Sequence, residues 1–254
     1  MPLVKTQEQI LILKEGGKRL ASILYEVEKR AKAGIQAEEL NNLAINLTEK
    51  CGGTPSFLNY RPEGSGSAYP AALCVSINDE VVHGLPFGKI LKEGDIVSFD
   101  FGLKYKGLYT DMAVTVGIGE IDVKSKKLIN ATKESLSRGI AVIHEGASIG
   151  DIGEVIQKYI EGQGFSIVRK LVGHGVGNAV HESPEIPNYG SGGHGLLLRE
   201  GMVLALEPMV NEGGFDVTLA NDGWAWKTTD GSRSAHFEHT VVVTKDGAEI
   251  LTSI

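Results

Sequence analysis

The sequence comprises 254 residues, of which 42% are hydrophobic and 22% charged, and its net charge is −7 at pH 7. This composition is globular and excludes disorder as the dominant state. No apolar run approaches the roughly 18 residues of a membrane-spanning helix, the charged N-terminal stretch is not a secretory signal, and the acidic balance gives no electrostatic case for nucleic acid. The two cysteines, Cys51 and Cys74, cannot build a disulfide framework, so we expect reduced thiols in the cytoplasm.

The first third of the chain is predicted to be helical. Residues 6–9 (TQEQ) have the form of a capping box, and apolar residues then recur at helical spacing up to Ala31. A second helix begins near Gln36 and ends at Cys51. The pattern then predicts strands at 71–77, 95–101 and 108–116, helix over about 125–163 with a break near 146–150, and strands at 165–170, 202–207 and 238–244.

This order of helices, strands, helices and strands suggests an internal repeat. Residues 91–100 (LKEGDIVSFD) resemble 198–207 (LREGMVLALE), residues 111–116 resemble 238–243, and residues 82–86 (VHGLP) resemble 180–184 (VHESP). Three collinear matches favour a duplicated half over chance similarity among short strands. No linker rich in Pro or Ser separates the halves, so we predict a single domain over 1–254, with halves of roughly 1–120 and 121–254 about a pseudo-two-fold axis.

Two aspartates fall on one predicted hairpin. A two-residue turn at Tyr105-Lys106 would place Asp100 directly opposite Asp111, with their Cβ atoms about 5 Å apart. Two like charges on buried strands must share a proton or hold a cation. The alternative is a different register, in which one aspartate points into solvent.

Glu207 and Glu238 occupy the equivalent places in the second half. If the pseudo-two-fold axis brings the hairpins together, four carboxylates meet around one point, which requires divalent cations. His174 lies between glycines in the segment GHGVG, where backbone can approach closely, and adds an imidazole to the set. Such a set fits a dinuclear site, and its many oxygens favour Mn(II), Fe(II) or Co(II) over a thiolate-type zinc site.

Three further residues lie in or near these motifs. Cys74 is in an apolar strand without a second cysteine nearby, and we interpret it as packing or pocket lining. His83 and His181 occupy equivalent places in the repeat. We expect them to flank the metals as hydrogen-bond donors or proton carriers, the alternative being a pair of turn histidines.

Five motifs together resemble the type I methionine aminopeptidases of the short bacterial kind, over nearly the whole chain. They are SINDEVVHGLP (76–86), GDIVSFDFGLKYKGLYTDMAVTV (94–116), GHGVGNAVHESP (173–184), MVLALEPMV (202–210) and SAHFEHTVVVT (234–244). The resemblance implies the α+β pita-bread fold, with two αβ halves around a curved antiparallel sheet. It also implies a cytoplasmic, monomeric metallopeptidase that removes the N-terminal methionine of nascent chains when the second residue is small.

The resemblance implies a metal-ligand set for the site. Asp100 would chelate one metal ion, Asp111 and Glu238 would bridge two ions, and His174 and Glu207 would complete the other site. The ions would be Co, Mn, Fe or Zn, with the identity left open.

The resemblance also assigns the catalytic and binding residues. A water between the metals would attack the carbonyl of the N-terminal methionine, and Glu207 would shuttle its proton. His181 would stabilise the carbonyl oxygen as it gains charge, and His83 would contact the scissile amide and pass a proton. The methionine pocket would be lined by Tyr60, Tyr69, Cys74 and Trp224.

Two features depart from the family pattern. Val180 precedes His181 where the bacterial enzymes carry Phe, and the segment 61–68 (RPEGSGSA) is longer than the usual link. Both bear on the shape of the pocket and its entrance. We hypothesise that the segment forms a lip over the cleft, the alternative being a surface insertion without effect.

Two other functions are open alternatives. An X-Pro aminopeptidase or dipeptidase of the same fold would carry a substantial N-terminal domain, for which we expect no room here. A binding module of the same fold, acting on ribosomes or nucleic acid, would lack one or more of the five ligands and would often be basic. The acidic chain with five ligands favours the enzyme, with nascent polypeptides as partners, no nucleic acid and no membrane; transient contact with the ribosome is left open.

Overall fold

The computed structural model describes residues 3–61 and 67–254, so most of the hypothesised lip lies outside the described residues. The helices in these ranges are α1 (Gln7–Arg30), α2 (Ala37–Lys50), α3 (Val123–Ala141) and α4 (Ile149–Gly162). The strands there are β1 (Thr54–Pro55), β2 (Leu73–Ile77), β3 (Glu80–Val82), β4 (Ile96–Tyr105), β5 (Leu108–Gly117), β6 (Ser166–Ile167), β7 (Gly173–Gly175), β8 (Glu182–Ile186), β9 (Val203–Leu206), β10 (Met209–Asn211), β11 (Val217–Leu219), β12 (Trp226–Thr228), β13 (Ser234–His236), β14 (Glu238–Val243) and β15 (Ala248–Ile250). Over the same ranges, no helix combines the length and the apolar character needed to cross a membrane.

The predicted helices are present at close to their predicted bounds. The capping box is confirmed, since the Gln9 N–H donates to Thr6 Oγ1 at 3.2 Å and the Thr6 N–H donates to Gln9 Oε1 at 2.9 Å. The predicted break near 146–150 separates α3 from α4. The sequence does not predict short strands such as β7, β10 and β13, because three residues carry too little alternation to be recognised.

The largest sheet joins strands from both ends of the sequence. Within the described residues it has nine antiparallel strands, in the order β1-β4-β5-β14-β9-β7-β8, with β2 also paired to β4 and β15 to β14. The junction lies where β5 pairs with β14, at Ala113↔Glu238 and Met112↔His239. The organisation as one domain with a pseudo-two-fold axis stays a prediction.

Most of the helix packing lies on one face of this sheet. Phe99 and Phe101 of β4 pack with α1 and α2, whereas Leu204 and Leu206 of β9 belong to the cluster under α3 and α4. Successive side chains of a strand point to opposite faces. Asp100, between Phe99 and Phe101, therefore lies on the other face, and that is where the site is built. Ala205 shares this face, and there it packs with Leu13 of α1.

The β4–β5 turn differs from the predicted one. Its central residues are Lys106 and Gly107, with φ of 47° and 87°. A type I′ hairpin turn needs positive φ at both positions, which glycine adopts without strain. The predicted turn would instead have placed Tyr105 in it. Tyr105 is buried, and its hydroxyl donates to Glu15 of α1 at 2.8 Å.

This turn changes the register of the two aspartates. Asp100 lies opposite Ala113, and Asp111 lies opposite Gly102. The prediction that Asp100 and Asp111 are directly opposed was therefore wrong. They are diagonal neighbours on one face, still within reach of each other.

Candidate metal centre and substrate cleft

The sheet register puts the predicted ligands on the face opposite the main helix packing. One row of paired residues crosses β2, β4, β5 and β14 as Cys74, Asp100, Ala113 and Glu238. The neighbouring row crosses β7, β9 and β14 as His174, Ala205 and Thr240. Residues two apart on a strand share a face. Asp111 and Glu207, each two residues from a member of these rows, belong to the same face.

The five predicted ligands come together at the bottom of one cavity. Ligand atoms of Asp111, His174 and Glu238 all lie within 4.8 Å of one another. The His174 Nε2 atom is 3.4 Å from Glu207 Oε1, and the carboxyl groups of Asp100 and Asp111 line the same cavity. The arrangement can hold metal ions between converging oxygen and nitrogen donors.

Burial makes this cluster costly without a cation. Desolvation raises the pKa of Asp100 to about 7 and raises the pKa values of Asp111, Glu207 and Glu238 well above their ordinary range. In the described part of the chain, Asp100 Oδ1 and Glu238 Oε1 are buried without a hydrogen-bond partner. Orphaned carboxylate oxygens of this kind fit divalent metal ions, which would supply the missing partners.

His174 is prepared for metal binding by its surroundings. Burial lowers the pKa of His174 to about 4, so the imidazole is neutral at pH 7, as a ligand must be. Its Nδ1 lies 2.9 Å from the Gly175 carbonyl oxygen; a proton there leaves the Nε2 lone pair free on the carboxylate side. A Cβ at Gly173 would overlap the Ala205 carbonyl oxygen, and one at Gly175 that of Ser183. The flanking glycines therefore allow the close strand packing that aims the imidazole.

Backbone supports fix two of the carboxylates. The hydroxyl of Thr240 accepts from the Asp111 N–H at 2.9 Å and donates to the Asp111 carbonyl oxygen at 2.8 Å. These side-chain hydrogen bonds continue the contact between β14 and β5 beyond the last backbone pair, Met112↔His239. Asn188 Nδ2 donates to the Glu207 carbonyl oxygen at 3.0 Å, just beyond the end of β9. The side chains of Thr240 and Asn188 thus fix the backbone of Asp111 and Glu207, and so the starting point of each carboxylate.

His83 and His181 border the cluster. His83 has a φ of 59°, a strained value for a residue with a side chain, and burial lowers its pKa to about 4. His181 is exposed at the mouth, its ring centroid is 4.4 Å from that of His174, and its Nδ1 lies 2.9 Å from the Tyr60 hydroxyl. If that hydroxyl donates, the His181 proton sits on Nε2, where it can serve a substrate.

The cavity has a volume of about 150 Å³. Its wall opposite the ligand cluster is apolar and aromatic. Tyr69 and Trp224 meet edge to face with ring centroids 5.2 Å apart, and the Tyr69 hydroxyl donates to the Gly84 carbonyl oxygen at 3.0 Å. Tyr60, Cys74 and Val180 pack in the same cluster. Burial raises the pKa of the Cys74 thiol, so this cysteine is a neutral wall residue.

Several residues in or directly beside the cavity were missed by the sequence reasoning. His236 is 1% exposed, its Nε2 lies 3.6 Å from Glu207 Oε2, and burial lowers its pKa to about 3. Its spacing of two from Glu238 could have indicated a shared face. The others are apolar and carry no local signal of a site: Phe57, Val82, Leu171, Val172 and Met209.

Known proteins resemble this chain along its full length. The model of metallopeptidase family M24 matches residues 12–245. A methionine aminopeptidase of Clostridium perfringens is 43% identical over 254 residues, covering 100% of both chains. The crystal structure of a methionine aminopeptidase from Thermotoga maritima superposes with a TM-score of 0.96 at 47% identity, again covering 100% of both chains.

An Xaa-Pro dipeptidase of Bacillus anthracis shares the fold alone. Its structure gives a TM-score of 0.75 at 23% identity and covers 99% of this chain but 62% of its own. Together, these likenesses confirm the predicted α+β pita-bread fold.

Proposed function

The chain belongs to metallopeptidase family M24, and from this premise we propose that it is a methionine aminopeptidase, a metal-dependent hydrolase that removes the N-terminal methionine of polypeptides when the second residue is small. The observation that carries the proposal is the meeting of a carboxylate and imidazole cluster with an apolar, aromatic wall in one cavity. The cluster would hold the metal ions that catalyse hydrolysis, and the apolar wall would select the methionine side chain.

The metal centre of the proposal holds two divalent ions, with Co, Mn, Fe and Zn as candidates. Asp100, Asp111, His174, Glu207 and Glu238 would be the ligands. Ions held there would lower the pKa of a bound water and polarise the scissile carbonyl. The fit is supported by the orphaned oxygens of Asp100 and Glu238 and by the burial that raises the pKa values of all four carboxyl groups.

The reaction needs a base beside the attacking water, and Glu207 is placed for this. One carboxylate oxygen faces His174 and the other faces His236, so the group is held between two imidazoles. Glu207 takes the proton from water and returns it to the leaving amine. His236 would keep the carboxylate plane in this orientation.

The two border histidines act on the substrate. His181, oriented by Tyr60, donates from Nε2 to the carbonyl oxygen as it becomes negative. His83 contacts the scissile amide and relays to its nitrogen the proton that Glu207 took from the water. Both would be hydrogen-bond donors without contributing to metal binding.

The apolar wall receives the methionine side chain. Tyr60, Tyr69, Cys74 and Trp224 supply most of the contact, and Val180 enlarges the space at the position where the family pattern has Phe. Burial of a thioether against aromatic rings is favourable, with sulfur–aromatic contacts of about 0.3–1.5 kcal/mol.

Metal content should separate the histidines. His174→Ala removes a ligand and should lower metal occupancy, whereas His83→Ala and His181→Ala should keep metal and lose kcat. Inductively coupled plasma analysis and steady-state kinetics with Met-Ala-Ser measure both quantities. His144→Ala, at an exposed histidine, is the control. Equal metal loss in His83→Ala and His174→Ala would contradict this division of roles.

Peptides that differ in their first two residues test the proposed specificity. Met-Ala, Met-Gly and Met-Ser peptides should be cleaved, and Met-Lys and Met-Leu peptides should be poor substrates. X-Pro peptides without methionine should not be turned over. Liquid chromatography of the released amino acid measures each rate. Equal turnover of Met-Ala and Met-Lys would contradict the assignment, and a preference for X-Pro would support the X-Pro alternative.

The setting of the enzyme is part of the proposal. We place it in the cytoplasm, as a monomer acting on nascent chains, and both cysteines are free, as a reducing compartment requires. Transient contact with the ribosome belongs to the same proposal. Sedimentation with and without ribosomes would test both the oligomeric state and this contact.

A further inference from the structure

The N-terminal segment before α1 is tied to the second half of the chain. The Lys5 N–H donates to the Gly201 carbonyl oxygen at 2.8 Å, and Val4 forms an isolated bridge with Met202. The Lys5 side chain is 1% exposed. A lysine this deeply buried requires a counter-charge.

The counter-charge is Glu182, the residue that follows His181. Lys5 Nζ is hydrogen-bonded to Glu182 Oε1, and the Glu182 side chain is 8% exposed. The other oxygen, Oε2, is buried without a hydrogen-bond partner in the described part of the chain. Glu182 Oε1 also accepts a long hydrogen bond from the Asn178 N–H at 3.5 Å, but the counter-charge comes from Lys5.

The same N-terminal region contacts the loop between His174 and His181. The stem of Lys5 crosses Gly177, which has a φ of 135° and where a Cβ would crowd Lys5 Cε. Gln9 Nε2, in the first turn of α1, donates to Asn178 Oδ1 at 3.1 Å. Two side chains from the start of the protein thus hold a loop that lies directly beside the cleft.

His181 itself has few local restraints. It is exposed, and among the described contacts its ring has one hydrogen bond, to the Tyr60 hydroxyl, and neighbouring rings of Tyr60 and His174. Its position is therefore set mainly by its backbone. That backbone is continuous with Glu182, the first residue of β8.

We propose that the buried Lys5–Glu182 ion pair is a positioning device that holds His181 over the metal cluster, so that Lys5 is a positioning residue for catalysis. The proposal rests on the function given above, in which His181 serves the substrate carbonyl. A misplacement of about 1 Å caused by a remote substitution can cost on the order of 10²-fold in rate.

Lys5→Met tests the proposal in the metal-loaded enzyme. With Met-Ala-Ser we expect kcat to fall by about 10-fold or more, with KM and metal content nearly unchanged. In a His181→Ala background the same substitution should change kcat less than about 2-fold, because its effect passes through His181. Lys14→Met, which removes a surface pair with Glu249, is the matched control and should leave kcat unchanged.

A second variant guards against loss of folding. Lys5→Met with Glu182→Gln removes both charges, so no unpaired carboxylate remains buried. In the zinc-loaded form of this double variant, the NMR signals of the His181 imidazole should shift from those of the unmodified enzyme. Unchanged His181 signals, or an equal loss of kcat in the presence and absence of His181, would overturn the proposal. Failure of the unmodified enzyme to cleave Met-Ala-Ser would refute the proposed function instead, while the NMR comparison still decides the positioning role.

Discussion

Glu207→Gln is expected to bind substrate but to turn it over at least ~10²-fold more slowly, the usual scale for a lost general base. Glutamine keeps the size of the side chain and one ligand oxygen, but its amide cannot accept the proton of the attacking water. The effect should appear in kcat more than in KM. Pre-steady-state kinetics with Met-Ala-Ser, on protein of measured metal content, would give both constants.

Glu200→Gln is the matched control for this prediction. Glu200 is exposed on the approach to β9, so the substitution makes the same chemical change away from the cavity and should leave kcat unchanged. Near-normal kcat in Glu207→Gln would remove Glu207 from the mechanism. A large loss of metal in the same variant would reduce its role to that of a ligand.

Metal removal is expected to destabilise the protein more at high pH than at low pH. Below about pH 3.8, Asp100 is protonated in both the folded and the unfolded states and contributes no pH-dependent penalty. As pH rises, the unfolded state ionises first, because burial has raised the folded-state pKa to about 7. The free energy of unfolding of metal-free protein therefore falls between these values and stays low above pH 7. Burial raises the pKa values of Asp111, Glu207 and Glu238 in the same direction, so all four carboxyl groups contribute to this fall.

Metal binding should reverse this trend. The ions bind deprotonated carboxylates, so their affinity rises with pH and compensates the buried charge. We expect the gap in Tm between Mn-loaded and chelated protein to widen steadily from pH 4.5 to pH 8. Differential scanning calorimetry at matched ionic strength would measure it.

Asp100→Asn provides the discriminating variant. Its amide cannot ionise, so the chelated variant should show a shallower fall of Tm with pH than the unmodified chain. Asp246→Asn, at an exposed aspartate in the turn before β15, should leave the slope unchanged. A chelated protein whose Tm rises from pH 4.5 to pH 8 would contradict the assignment of buried, uncompensated carboxylates.

Much of the fold follows from local signals in the sequence. The capping box at Thr6, the apolar spacing of α1 and the glycine-rich break before α4 are short-range patterns, because helix termini are decided by neighbouring residues. The repeated motifs correctly marked β4, β5, β9 and β14. The family and the pita-bread fold were also accessible, since the motifs that carry them are contiguous.

The sequence alone determined which residues are candidates for the chemistry, since carboxylates and histidines that interrupt buried strands are conspicuous wherever the chain folds. Only the tertiary structure decided how they meet. The φ values at Lys106 and Gly107 shifted the hairpin register, so that Asp100 and Asp111 became diagonal neighbours. His236 lies beside Glu207, and Lys5 is hydrogen-bonded to Glu182. Such contacts between residues far apart in the chain depend on strand order and packing, which no local pattern encodes.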